Sequence, residues 1–168
     1  MFGYYRRETA FLLRHMGLVT GCAFISAMLG TMMWINGRGV WFVMHCTRLP
    51  ECALPLSVLY CLWLAVYGIS GAVFPLTLLI ENRIKSCLPP AVITLGISYV
   101  LALLWFPLFF SAQFVFPSLC ILILSLCAIS ITIFKSFTNS LWLTTGCVVI
   151  CCVELYFTIF TFQYFLLN

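Results

Sequence analysis

Five long apolar runs constrain this chain more than any other feature of its sequence. They cover approximately residues 9–35, 56–80, 90–114, 117–134 and 141–166. A helix needs about 20 apolar residues to cross the hydrocarbon core of a bilayer. The runs are long and lack the two-residue alternation of membrane strands, so we expect helices. The sequence therefore predicts an all-α fold, an integral membrane bundle of five transmembrane helices in a single domain over 1–168.

The composition excludes several classes of function. Hydrophobic residues make up 64% of the chain and charged residues only 7%, whereas a soluble domain is about 25% charged. The chain cannot cover a surface that faces water, so the lipid bilayer is an expected partner. The net charge of +4 is scattered without a basic stripe, so we expect no nucleic-acid binding. The sequence has no aspartate, no Ser-His-acid arrangement and no Gly-rich phosphate loop, so we expect no enzyme of the familiar soluble types.

Ten cysteines suggest a disulfide framework or a metal site, but their positions favour neither. Cys46, Cys52 and Cys87 lie in predicted loops, and the other seven lie inside apolar runs. A cysteine in such a run behaves as a small hydrophobic residue. No cysteine pair or Cys/His group has zinc spacing, so we expect no metal and no cofactor.

The segment Val19–Cys22 is similar to the cleavage box of a bacterial lipoprotein. A cleaved signal needs an uninterrupted apolar core of about 7–15 residues before the cut. Arg14 and His15 interrupt that core, and the apolar run continues past Cys22. We therefore interpret this segment as part of the first membrane helix.

The connections predict the orientation of the bundle. Residues 36–55 form one long loop, and the other connections are short. With five helices, one side of the membrane holds Arg6, Arg7, Arg14, Arg83, Lys85 and Lys135, and the other holds Arg38 and Arg48. Basic residues favour the cytoplasmic side. We therefore expect a multi-pass protein of a bacterial cell membrane with a cytoplasmic amino terminus, and with the long loop and the carboxyl terminus on the opposite face.

Two aromatic stripes are candidates for a ligand site. In the third helix Ala102, Trp105, Phe109 and Gln113 recur on one face, and Pro107 in the stretch LLWFPLFFSAQF predicts a kink. A kinked membrane helix must find new partners for its freed carbonyl, which favours a packed or cavity-lining position. The stripe is either a close-packed seam or the flat wall of a ligand cavity.

The second helix carries the other stripe, with Trp63, Tyr67 and Gly71 spaced four residues apart. Small residues at Gly68, Ser70 and Gly71 predict close approach of a neighbouring helix. Trp63 and Tyr67 suit either helix packing or ligand binding.

With these motifs in order along five helices, nearly the whole chain resembles the TspO/MBR family, the tryptophan-rich sensory or translocator proteins. The second-helix pattern of that family resembles Trp63, Tyr67 and Gly71, and its third-helix pattern resembles Trp105 to Phe110. Its loop and fifth-helix patterns resemble Trp41-Phe42, Pro50 to Pro55, and Gln163-Tyr164.

The resemblance implies a cavity between the helices, covered by the 36–55 loop, that binds planar apolar molecules such as porphyrin and haem. The candidate binding residues are Trp41, Trp63, Tyr67, Trp105, Phe109, Gln113 and Gln163. Some family members degrade porphyrins with two tryptophans, of which one matches Trp63 and the other falls at Leu155, so we expect no such activity here. The expected function is a membrane receptor or transporter for tetrapyrroles. A homodimer is one possible oligomeric state.

Glu154 is the one acid inside a predicted membrane helix, and no Lys or Arg lies at its depth. Ionisable groups within the membrane face the bundle interior and mark functional sites. We expect Glu154 to be protonated or hydrogen-bonded to hydroxyl groups. Two other functions therefore stay open: a ligand-free assembly subunit with a solid core, and a small transporter component that moves protons or cations through Glu154.

Overall fold

The structure, a computed structural model, describes residues 2–84, 90–136 and 141–168. Within these ranges the chain is helical and has no strand. The α-helices are α1 (Phe2–Asn36), α2 (Arg38–Cys46), α3 (Leu56–Ile84), α4 (Pro90–Phe106), α5 (Val115–Ser136) and α6 (Leu141–Leu167). A π-helical turn, Pro107–Ser111, continues α4.

Five of these helices are long and apolar enough to cross a membrane, which confirms the predicted fold class. Their spans are Leu13–Asn36, Leu56–Leu79, Ala91–Ser111, Val115–Lys135 and Leu141–Leu167. Large apolar side chains such as Phe24, Leu124 and Phe162 point outward from the bundle, where an apolar environment such as lipid covers them favourably. The first span passes through Cys22 without a break, as we predicted for a membrane helix.

Glycines bring α1 and α3 close together. A Cβ atom on Gly71 would overlap Ser26 and lie 2.8 Å from the carbonyl oxygen of Cys22. A Cβ on Gly30 would lie 2.9 Å from the ring of Tyr67. The prediction of close helix approach is therefore confirmed at Gly71. It is wrong at Gly68, which faces open space.

The predicted long loop 36–55 contains the short helix α2. Val40 and Val43 are buried on its inner face, and Trp41 and Phe42 are exposed on its outer face. The inner face packs against the π-helical turn. At the contact point a Cβ on Gly39 would overlap the carbonyl group of Phe110, so only glycine permits this approach.

The long loop and the end of α6 lie at the same end of the bundle. The side-chain amide of Asn168 donates to the Arg48 carbonyl oxygen at 3.0 Å and accepts from the Arg48 amide at 3.3 Å. One turn before the end of the loop, the Tyr156 hydroxyl donates to the Cys52 carbonyl oxygen at 3.2 Å. These bonds fit the four membrane crossings between the long loop and the carboxyl terminus, since an even number of crossings returns the chain to the same end.

Candidate ligand-binding site

Aromatic side chains from three of the membrane helices and the π-helical turn meet in the centre of the bundle, and we call them the aromatic cluster. Its members are Trp63 and Tyr67 of α3, Trp105 and Phe106 of α4, Phe109 and Phe110 of the turn, and Phe157, Phe160 and Tyr164 of α6. All are buried. The sequence stripes of the second and third helices therefore face each other.

The cluster is closely packed. The ring centroids of Trp63 and Trp105 lie 5.3 Å apart with the planes tilted by 45°, and Trp105 stacks on Phe109 at 5.5 Å and 17°. Phe157 contacts Trp105 at 4.9 Å and Trp63 at 6.0 Å. These separations are those of favourable aromatic pairs. A flat ligand enters this space only if the rings move apart.

Polar atoms within the cluster are not equally satisfied. The indole Nε1 of Trp63 donates to the Gly30 carbonyl oxygen at 3.3 Å, and the Tyr67 hydroxyl donates to the sulfur of Met33 at 3.3 Å. Trp105 Nε1 is the one buried side-chain nitrogen or oxygen without a hydrogen-bond partner in the described part of the chain. Leaving a buried donor unpaired costs about 1–3 kcal/mol, so this indole has unused capacity to bind an acceptor.

The π-helical turn explains how Pro107 is accommodated. Proline has no N–H to donate to the carbonyl of Leu103. The chain widens instead, and the Ala112 amide donates to the Pro107 carbonyl oxygen, five residues back, at 2.9 Å. Phe109 and Phe110 in this turn are both buried. The local change that the sequence predicts as a kink is thus a π-helical insertion, which is frequent at functional sites.

Gln113 does not share the buried face predicted for it. The helical repeat ends in the π-helical turn, and Gln113 adopts a positive φ of 57° in the connection to α5. Its side chain is exposed and lines, with Tyr164 and Asn168, an open groove of about 470 Å³. The prediction failed because a turn with more residues rotates the following positions away from the stripe.

The remaining two candidates lie at the edge of the cluster. Trp41 is 63% exposed on α2 and stacks on His45 with the centroids 5.1 Å apart. Gln163 is half-buried on α6, beside the cluster member Tyr164. Of the seven candidate residues, the structure therefore brings Trp63, Tyr67, Trp105 and Phe109 together in one core.

Sequence reasoning missed the contribution of α6. Phe157, Phe160 and Tyr164 recur at intervals of three and four residues, and all three are buried in the cluster. This spacing is typical of one helix face. The stripe was visible in the sequence, but aromatic residues on the opposite face, such as Phe162 and Phe165, hid its periodicity.

A groove of about 250 Å³ lies on the outer side of the π-helical turn, between α1 and the end of α4. Met33, Gly37, Phe106 and Pro107 are among its lining residues. The Phe106 ring also contacts Trp63, with the centroids 4.7 Å apart. Phe106 therefore contacts both this groove and Trp63 of the cluster.

Comparison with known proteins gives no relative on which to rest a function. No family model matches the chain, and no curated protein is significantly similar to it.

Proposed function

We propose that this protein is a membrane receptor or transporter for planar apolar molecules of the tetrapyrrole class, such as porphyrins and haem. The ligand binds in the aromatic cluster, between Trp63 and Trp105. The short motifs shared with TspO/MBR proteins support this proposal, and so does the chemistry of the cluster. Flat conjugated rings stack favourably on indole and phenyl faces, and sites for such ligands are mainly apolar with few polar groups.

The observation that carries the proposal is the unpaired Nε1 of Trp105. A core built only for stability would pair this donor or replace it, because an unpaired buried N–H lowers stability. A ligand with an accessible acceptor, such as a propionate carboxylate of a porphyrin, satisfies it. Binding then recovers the free energy lost in the unliganded protein.

The groove beside Pro107 supplies the route by which the ligand reaches the cluster. Its volume of about 250 Å³ is below the approximate 300–1,000 Å³ of typical ligand pockets. Rotation of Phe106, which forms the inner wall of the groove, joins it to the space around Trp63. The π-helical turn next to Phe106 gives this part of α4 the freedom to rearrange.

Equilibrium titration of the detergent-purified protein with protoporphyrin and with haem tests the proposal. We expect saturable binding with micromolar affinity, about −8 kcal/mol. Trp105→Ala should weaken it by about 1–3 kcal/mol through lost stacking and burial. Trp105→Phe keeps an aromatic ring but removes the donor, so it should also weaken binding, by less.

Trp142→Phe is the matched control, because Trp142 lies 53% exposed at the opposite end of α6. It should bind porphyrin as the parent does. If folded Trp105→Ala binds as tightly as the parent, the cluster is not the site. If the parent shows no saturable binding at all, the ligand-free assembly subunit is the better interpretation.

A further inference from the structure

Glu154 lies in the middle of the membrane-spanning part of the bundle. It is halfway along α6, its side chain is 2% exposed, and its contacts come from the central parts of α4 and α5. The described spans of α3, α4 and α6, and residues 115–134 of α5, contain no other acid and no Lys, Arg or His. An ionised carboxylate at this position has no charged partner to offset its loss of hydration.

Two serines surround the carboxyl group. The Ser125 hydroxyl oxygen lies 3.0 Å from Oε1 and 3.0 Å from Oε2 of Glu154. The Ser98 hydroxyl oxygen lies 3.5 Å from Oε1 and 3.0 Å from the Ser125 hydroxyl oxygen. The Ser125 hydroxyl oxygen is also 3.1 Å from the Ser98 carbonyl oxygen. Four oxygen-bearing groups from three helices thus share a small set of hydrogens.

The number of hydroxyl and carboxyl hydrogens indicates which protonation state of Glu154 fits these distances. Each serine hydroxyl supplies one hydrogen and accepts two bonds. With an ionised carboxylate, Ser125 must choose between Glu154 and the Ser98 carbonyl oxygen. With one added proton, Glu154 donates to Ser125, Ser98 also donates to Ser125, and Ser125 donates to the Ser98 carbonyl oxygen. Every contact of 3.0–3.1 Å between different groups then has its own hydrogen.

We propose that Glu154, Ser98 and Ser125 form a proton-binding site within the membrane, and that the bound proton ties α6 to α4 and α5. Release of the proton leaves a charge without a partner and one hydrogen too few. The helices must then separate enough to admit water. This proposal does not depend on tetrapyrrole binding, because the site binds only a proton.

The other titratable groups near the site are thiols and phenols. Cys151 lies one turn before Glu154 on α6. The hydroxyls of Tyr67 on α3 and Tyr99 on α4 are hydrogen-bonded to α1, and Cys127 of α5 is exposed to the outside of the bundle. Glu154 is the one carboxyl group in the described membrane spans of these helices, so we assign the change of charge at this site to its protonation.

An oxygen-only site can also attract a hard cation such as sodium. The distances favour the proton, because separations near 3.0 Å are those of hydrogen bonds between oxygens. The experiment must nevertheless separate the two ligands.

Infrared spectroscopy of the full chain in lipid vesicles tests the proposal through the C=O stretching band of a protonated carboxylic acid. We expect this band at neutral pH, its reversible loss under alkaline conditions while the helices persist, and no effect of replacing potassium by sodium. Glu154→Gln keeps the hydrogen-bonding shape and should abolish the band. Ser125→Ala should shift the pH at which the band disappears, whereas the control Thr145→Ala should not, because exposed Thr145 donates to the Leu141 carbonyl oxygen at the start of α6, away from Glu154.

A second measurement is reaction with a hydrophobic carbodiimide, which modifies protonated carboxyl groups and is located by mass spectrometry. We expect modification of Glu154 at neutral pH and much less under alkaline conditions, with exposed Glu51 as the internal reference. Absence of the band at neutral pH, or protection by sodium at constant pH, overturns the proposal. Persistence of the band at every pH at which the protein stays folded also overturns it, because Glu154 is then a fixed structural acid.

Discussion

Trp63 and Trp105 lie in the same core but differ in the hydrogen bonding of the indole N–H. The indole N–H of Trp63 has an acceptor in the Gly30 carbonyl oxygen, and that of Trp105 has none. Both rings are almost fully buried and lie in contact, so packing alone does not distinguish them. Because of this difference we propose that Trp105 recognises the ligand, whereas Trp63 is already held by its hydrogen bond.

Gly39 allows α2 to pack against the π-helical turn because it has no Cβ atom. A Cβ on this residue would overlap the Phe110 carbonyl group, so Gly39→Ala should push α2 away from the π-helical turn. We expect a loss of about 1–3 kcal/mol in stability, as in an overpacked core. Thermal unfolding in detergent measures it. Gly68→Ala is the control and should cause no loss, because Gly68 faces open space. An equal stability for both variants would contradict this account of the contact.

At the scale of the element, the sequence predicts long helices well and short irregular ones poorly. Each membrane helix is set by an apolar run whose transfer free energy outweighs other local preferences. Helix α2 was missed because its inner stripe consists of only Val40 and Val43, within a segment rich in turn-forming residues. The π-helical turn was missed because Pro107 has several outcomes in a membrane helix, and neighbouring helices decide among them.

Pro107→Ala tests the purpose of that turn. The substitution restores an amide donor and raises helix propensity, so the unliganded protein should be as stable as the parent or more so. A regular α-helix would also rotate Phe109 and Phe110 relative to Trp105. We therefore expect porphyrin affinity to fall, by about tenfold or 1.4 kcal/mol, in the same titration. Pro75→Ala is the matched control, because Pro75 also lies inside a membrane helix but outside the cluster. Unchanged affinity in Pro107→Ala would indicate that residues 103–114 form a close-packed seam and take no part in ligand binding.

At the scale of the whole molecule, hydrogen bonds between the connections determine which segments share an end of the bundle. The long loop and the carboxyl terminus lie together through Arg48 and Asn168. The distribution of Lys and Arg predicts that this end faces away from the cytoplasm. The predicted opposite end includes Cys87, which lies outside the described residues. Cysteines in the two connections therefore report the orientation of the bundle.

Labelling of intact cells with a membrane-impermeant thiol reagent tests this orientation. We expect modification of Cys46 and Cys52 in the long loop and none of Cys87, with the sites identified by mass spectrometry and by Cys52→Ser and Cys87→Ser variants.

Burial raises the pKa of the half-buried Cys52 thiol by disfavouring its charged form. The thiolate is the reactive species, so labelling of Cys52 should be slow at neutral pH and accelerate as the pH rises. Disruption of the cells should make Cys87 reactive. Labelling of Cys87 alone in intact cells would reverse the orientation and place the long loop, with α2 and the groove beside Pro107, on the cytoplasmic side.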